Sequence, residues 1–184
     1  MTTHISSTPS EGRVLTDFAA AFPELDHAAP DYGYLRSVAQ DLVPFGRLVG
    51  TEVTEIGADR AVVTLGASGG VVNHMGTVHA GALFTAADIA GALAFVGAAA
   101  PRLFAVERLV LRASTVTYRR PATGTVRAVA VVDERELREL LGDTAGGRHD
   151  LTAKAVVLDG DDVVTSKFVF DYVCDVVGAP ESGR

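Results

Sequence analysis

The residue types best able to do chemistry fall in one stretch, Asn73-His74-Met75-Gly76-Thr77-Val78-His79-Ala80-Gly81-Ala82-Leu83-Phe84-Thr85-Ala86-Ala87-Asp88. A glycine-bearing loop runs into an apolar helix whose first N–H groups, around Ala80 and Gly81, have no intrahelical acceptor. With the helix dipole, those donors suit an anion or a developing oxyanion. Asn73 and His79 are polar groups at the mouth of that site. Asp88 is a lone carboxylate inside an otherwise apolar helix. Burying an unpaired charge costs several kcal/mol, so such a group is either paired, with Arg108 or Arg112 as candidates, or kept for use. Plainer roles also fit the types: His79 as a helix cap, Asn73 as a turn residue with an Asx bond.

Spacing adds a constraint. Ala80 and Asp88 are eight residues apart on one helix, about 12 Å along its axis. One reacting bond cannot be served by both from the same copy. If they cooperate, the second contribution comes from another subunit whose helix runs antiparallel across a two-fold axis, so at least a dimer with shared sites is expected.

The elements that position these groups read as follows. Leu35, Val38, Leu42 and Phe45 step by three and four, one face of a helix that Pro44 ends or kinks. Thr51 to Ile56 and Ala61 to Leu65 are β-branched runs joined by Gly57-Ala58-Asp59-Arg60, a hairpin signal. The central helix is expected at about 78–98. Strands follow at 106–118, 125–132, 151–158 and 163–173, with one or two charged helical turns at 134–141. In the first of these strands the alternation puts Leu109, Leu111, Ala113, Thr115 and Thr117 on one side and Arg108, Arg112 and Ser114 on the other. A helix apolar on nearly all faces must be surrounded, so the expected fold is α+β: one curved antiparallel sheet of about five to six strands wrapped around it. Residues 1–33 are expected as a loosely ordered arm, 34–175 as one domain and 176–184 as a flexible tail.

Composition sets the outer bounds. The 184 residues are 48% hydrophobic and 21% charged, which suits one globular domain. Sixteen Lys plus Arg against twenty-three Asp plus Glu give a net charge of -7, which argues against nucleic-acid binding. The single cysteine, Cys174, excludes an internal disulfide framework and a multi-cysteine zinc site. Met1 to Glu11 shows no basic region followed by an apolar run, so no signal peptide is expected. The apolar run Ala80 to Ala100 is rich in Ala and Gly and holds Asp88, which would cost roughly 2.5–3.5 kcal/mol at a bilayer centre. A buried helix of a cytoplasmic protein, with no membrane partner, is the expectation.

The run Asn73-x5-His79-Ala80-Gly81-Ala82-Leu83-Phe84-x3-Asp88 resembles the Asn-x5-His-Gly-Gly-x-x-Phe-x3-Asp signature of hotdog-fold acyl-CoA thioesterases. The phenylacetyl-CoA (PaaI-like) and 4-hydroxybenzoyl-CoA thioesterase groups are the most similar. Thr117-Tyr118-Arg119-Arg120-Pro121-Ala122 is similar to the family's Tyr-Leu-Arg-Pro-Ala strand end, and the order of elements fits from about residue 40 to 173. The resemblance implies a homodimer, often a dimer of dimers, that hydrolyses the thioester of an acyl-CoA or acyl-carrier protein. Asp88 would be nucleophile or general base, and the Ala80 and Gly81 helix start the oxyanion site. Asn73 would position the water or thioester, and His79 would orient the loop and substrate. No metal and no cofactor are implied beyond the coenzyme A moiety of the substrate.

Phe84 and Phe95, on the Asp88 side by their spacing, suggest an apolar or aromatic acyl pocket, or core packing. Arg119 and Arg120 suit the 3′-phosphate of coenzyme A, or a solvated strand end. Two positions depart from the pattern. Ala80 replaces the first glycine, and Ala92 and Phe95 stand where several relatives carry Ser or Thr one or two turns after the acid. Three other readings are a non-catalytic acyl-thioester binding module, a hydroxyacyl dehydratase or hydratase, and a metal hydrolase. The second lacks its characteristic His-Phe-Pro loop here. The third would use His74, His79, Asp88 and His149, but a spacing of five does not put His74 and His79 on one helical face.

Overall fold

A computed structural model describes residues 18–67 and 69–178. Helix α1, Tyr32–Leu42, starts where the Asp31 carboxylate accepts hydrogen bonds from the Gly33 and Tyr34 N–H groups. Val43 is extended, and Pro44 opens a second short helix, α2 (Pro44–Val49), instead of kinking the first. Strands β1 (Thr51–Ile56) and β2 (Ala61–Leu65) then form the expected hairpin.

Helix α3 spans Ala80–Ala99 and continues as 3-10 turns through Ala105. It is followed by β3 (Val106–Tyr118), β4 (Val126–Val132), α4 (Glu134–Gly142), β5 (Gly147–Leu158) and β6 (Val164–Val176). The six strands make one antiparallel sheet in the order β1-β2-β4-β5-β6-β3. α3 lies across β2, β4 and β5 and leaves the concave side of β3 largely uncovered.

α3 sits deep because its side chains are small where strands approach. A methyl group on Gly91 would come within 2.9 Å of the Tyr172 hydroxyl, and one on Gly97 within 2.1 Å of the Gly57 carbonyl. Phe95, Phe168, Phe170, Leu65, Leu103 and Leu151 fill the space around it and are 1% exposed or less. The segment Ala80–Ala105 is long and apolar enough to cross a membrane, yet 72% of its apolar window is buried inside this domain, which makes it a core helix.

Strand β3 departs from simple alternation. Leu109 and Leu111 pair with the inward-facing Cys174 and Tyr172, as expected, but an irregularity between Leu111 and Ala113 shifts the register. Beyond it Ser114, Val116 and Tyr118 pair with Phe170, Phe168 and Ser166 and share the inner face, while Ala113, Thr115 and Thr117 turn outward. The bulge thus brings Tyr118 onto the side that carries α3. Strand β5 starts four residues earlier than expected, at Gly147. Of the expected N-terminal arm, residues 1–17 lie outside the described residues, as do 179–184 of the expected tail; Phe22 and Leu25 are buried in the core.

Replacing Gly97 with Ala is expected to destabilise the fold by about 2–3 kcal/mol, since backbone, not a movable side chain, occupies the methyl position. Gly70→Ala, with nothing within 4 Å of the added carbon, is the control. Urea denaturation reads both. Equal stabilities would mean that α3 is not held against the Gly57 turn.

Candidate active site

The loop before α3 is organised by Asn73. Its Oδ1 accepts from the Met75 N–H at 2.9 Å and the Thr77 N–H at 3.3 Å, and its Nδ2 donates to Thr77 Oγ1 at 2.9 Å. Gly76 takes a φ of 73°, the left-handed conformation that closes this turn. The Val78 N–H reaches the Ala122 carbonyl and the His79 N–H the Val71 carbonyl, so the loop is strapped to both neighbours. Asn73 therefore holds the loop, as its Asx geometry suggests.

His79 caps α3: its Nδ1 accepts from the Gly81 N–H at 3.0 Å, which leaves the ring proton on Nε2. Gly81 is thereby committed to the cap. The Ala80 N–H has no acceptor among the described residues and stands at the positive end of the helix. The Tyr118 hydroxyl donates to the Ala80 carbonyl at 3.1 Å and fixes this helix start against β3. Asn73, Thr77, Ala80, Tyr118, Arg119 and Arg120 line one cleft of about 320 Å³. The Arg119 and Arg120 N–H groups both donate to the Thr165 carbonyl, and neither guanidinium has a carboxylate partner among the described residues.

Asp88 lies two turns along α3 and is half-buried. Its partner is the Tyr172 hydroxyl, 3.1 Å from Oδ1 and 3.2 Å from the Asp88 carbonyl oxygen, so one proton is shared between two acceptors. Neither arginine candidate reaches it: Arg108 pairs with Asp175, and Arg112 with Asp150 at 2.8 Å. Burial raises the Asp88 carboxyl above its ordinary value, and the Tyr172 hydrogen bond offsets part of that rise. The Tyr172 phenol is itself pushed well above its usual range by burial and by the neighbouring carboxylate. Phe84 is half-buried against Phe168 and Phe170, with ring centroids 6.1 and 5.6 Å away; Phe95 is sealed in the core at 0% exposure.

The structure thus gathers Asn73, Ala80, Arg119 and Arg120 around one cleft, with His79 and Gly81 joined in the adjoining cap, and holds Asp88 apart. Of the hydroxyls on α3 and its loop, Thr85 donates to the Gly81 carbonyl and Thr77 is tied to Asn73. Tyr172 is the hydroxyl at the acid, and sequence reasoning missed it. His149, from the metal reading, bonds Asp143 at 2.9 Å, and no three His, Cys, Asp or Glu side chains cluster as a metal site among the described residues.

One curved antiparallel sheet around a single long helix, with a polar helix start and a carboxylate two turns later, is the hotdog fold. The chain belongs to the family described as "Domain of unknown function (DUF4442)", whose model matches residues 34–172. No curated protein sequence matches it significantly. Among solved structures it is similar to PA5026 of Pseudomonas aeruginosa, described as a protein of unknown function and probable thioesterase. The identity is 21%, the TM-score 0.62, and the match covers 78% of this chain and 95% of that one. It is also similar to the thioesterase HI1161 of Haemophilus influenzae, at 15% identity and TM-score 0.62, covering 85% and 96%. The PaaI protein of the E. coli phenylacetic acid degradation operon matches at 21% identity and TM-score 0.51, covering 69% and 85%. These likenesses establish the fold.

The raised carboxyl has a consequence for stability. The folded-state pKa of Asp88 lies above its unfolded value, so the folded protein holds the proton more tightly. The penalty of the ionised form is absent below about pH 3.9 and complete above the folded pKa. Asp88→Asn is therefore expected to melt a few degrees above wild type at pH 7, with the gap closing as pH falls toward the ordinary aspartate range. Coincident melting at pH 7 would contradict a buried ionised carboxylate.

Proposed function

We propose that this protein is a thioester hydrolase acting on an acyl-CoA or acyl-carrier-protein substrate, with each active site shared between two copies of the chain. The observation that carries the reading is Asp88. Among the described residues it is a half-buried carboxylate with no cation beside it and a phenol as its one side-chain partner, which makes it a poorly solvated and more basic acid than an exposed one. In the proposed reaction Asp88 takes a proton from water as the water oxygen attacks the thioester carbonyl carbon. The Ala80 N–H of the other copy donates to the oxyanion, a contribution of roughly 3–4 kcal/mol for one such donor. The tetrahedral intermediate then expels the thiolate, which takes the proton back, leaving free acid and thiol. Tyr172 orients the carboxylate. Arg119 and Arg120, without carboxylate partners at the cleft edge, suit the phosphates of the carrier group.

A second copy is required on two grounds. Ala80 and Asp88 are about 12 Å apart along one axis. The second is surface: β3 is a thirteen-residue edge strand whose inner side, with half-buried Leu111 and Val116, lacks a covering helix among the described residues.

Free-thiol release from a panel of short, medium, long-chain and aryl acyl-CoAs tests the proposal. Wild type should turn over at least one class, and Asp88→Asn should lose about 10²–10⁴-fold in kcat, the usual worth of a positioned acid–base group. No turnover of any acyl-CoA or acyl-carrier protein by a folded dimer would favour a binding module. Turnover that survives Asp88→Asn would remove Asp88 from the chemistry.

A further inference from the structure

A second cavity, of about 280 Å³, lies along α3 beyond Asp88; most of its lining is apolar, and Glu107 and Arg108 of β3 also border it. Its helix side is Ile89, Ala92, Leu93 and Val96, and α1 contributes Leu42. Ala92 is one turn from Asp88 on the same helix face, about 40° around and 6 Å along the axis, so the cavity lies within about one helical turn of the carboxylate. The side chain at 92 is a single methyl group and takes little of the space there.

The opposite end is closed by Phe18 and Ala21, from a segment that precedes the family-matched residues 34–172. Their position follows from the sheet. The Phe18 N–H donates to the Glu107 carbonyl at 3.0 Å, while Tyr172, which holds Asp88, pairs with Leu111. Four residues of strand separate Glu107 from Leu111, about 13 Å. Phe22, 3% exposed and in ring contact with Phe18 at 6.3 Å, anchors the segment in the core.

We propose that this cavity receives the acyl group of the thioester, and that Phe18 and Ala21 form the end wall that limits its length. The proposal rests on the thioesterase reading for the identity of the ligand. A cavity of about 150 Å³ takes one benzene ring, so this one has room for about ten carbons: a medium-length alkyl chain or a short arylalkyl group. Its wall is mostly apolar, with Glu107 and Arg108 on the β3 side, so an apolar acyl chain suits it.

Two readouts test this on the full-length protein. Relative kcat/KM is measured over saturated acyl-CoAs from four to sixteen carbons, and binding of the matching non-hydrolysable acyl-CoA thioethers is measured by calorimetry. Phe18→Ala should move the optimum up by at least two carbons and raise relative kcat/KM for the chain just above the wild-type limit at least fivefold. Ala21→Leu should move it down. The opposite sign of the second shift guards against Phe18→Ala simply releasing the segment. Length-dependent thioether binding that moves with both variants, without turnover, would uphold the cavity and refute hydrolysis. Turnover or binding whose length profile neither folded variant changes would overturn the end wall while leaving the hydrolase reading intact. Absence of both turnover and thioether binding would overturn both.

Discussion

A helix that is apolar on nearly every side cannot be left with a bare face, and the rest of this molecule follows from that. α3 is sheathed by β2, β4 and β5, and the approach is close because Gly91 and Gly97 offer no side chain to the strands. Depth has a cost at the one acidic position. Carried inward with its helix, the Asp88 carboxylate loses water and, among the described residues, gains only the Tyr172 hydroxyl. The sheath also stops short: among the described residues, no helix lies over most of the inner face of β3, the strand beyond β6.

The charge distribution sharpens the contrast. Asp175 sits between Arg108 and Arg148, which hold its carboxyl below the ordinary range, and Asp150 faces Arg112. Those pairs decorate strands of the sheet, where water screens them and each contributes little to stability. Asp88 has no ion-pair partner among the described residues, and burial raises its carboxyl where that of Asp175 is lowered. Raised basicity and the expected loss of stability at that position have one cause, the apolar helix that carries it.

Much of this was legible in the sequence, because the strongest signals were local. The β1–β2 hairpin matches residue for residue, α3 falls within two residues of its expected ends, and Asp88 stands out as the only charge in its helix. What periodicity could not supply were contacts made across the sheet. Tyr172 belongs to the inward stripe Phe168, Phe170, Tyr172 and Cys174, whose single polar group was visible, but its partner was not. Tyr118 reaches the Ala80 carbonyl only because the register irregularity in β3 reverses the faces beyond Leu111. Phe95 shares a helical face with Asp88 by spacing, yet packing seals it in the core. Phe18 closes a cavity whose walls come from four separate places in the chain, a juxtaposition that no window of sequence displays.

The central claim is that one active site draws its carboxylate from one copy and its oxyanion donor from another. Two single variants address it together. Asp88→Asn removes the base. Ala80→Pro removes the free N–H at the first helical position, where proline is tolerated and where the preceding residue, His79, already has the extended backbone proline requires. Each variant alone should be nearly inactive in thiol release. When the two are mixed under conditions that allow subunits to exchange, a heterodimer has one site with both wild-type groups, and activity should return. Failure to regain activity, with heterodimers shown to form and both variants folded, would contradict a shared site.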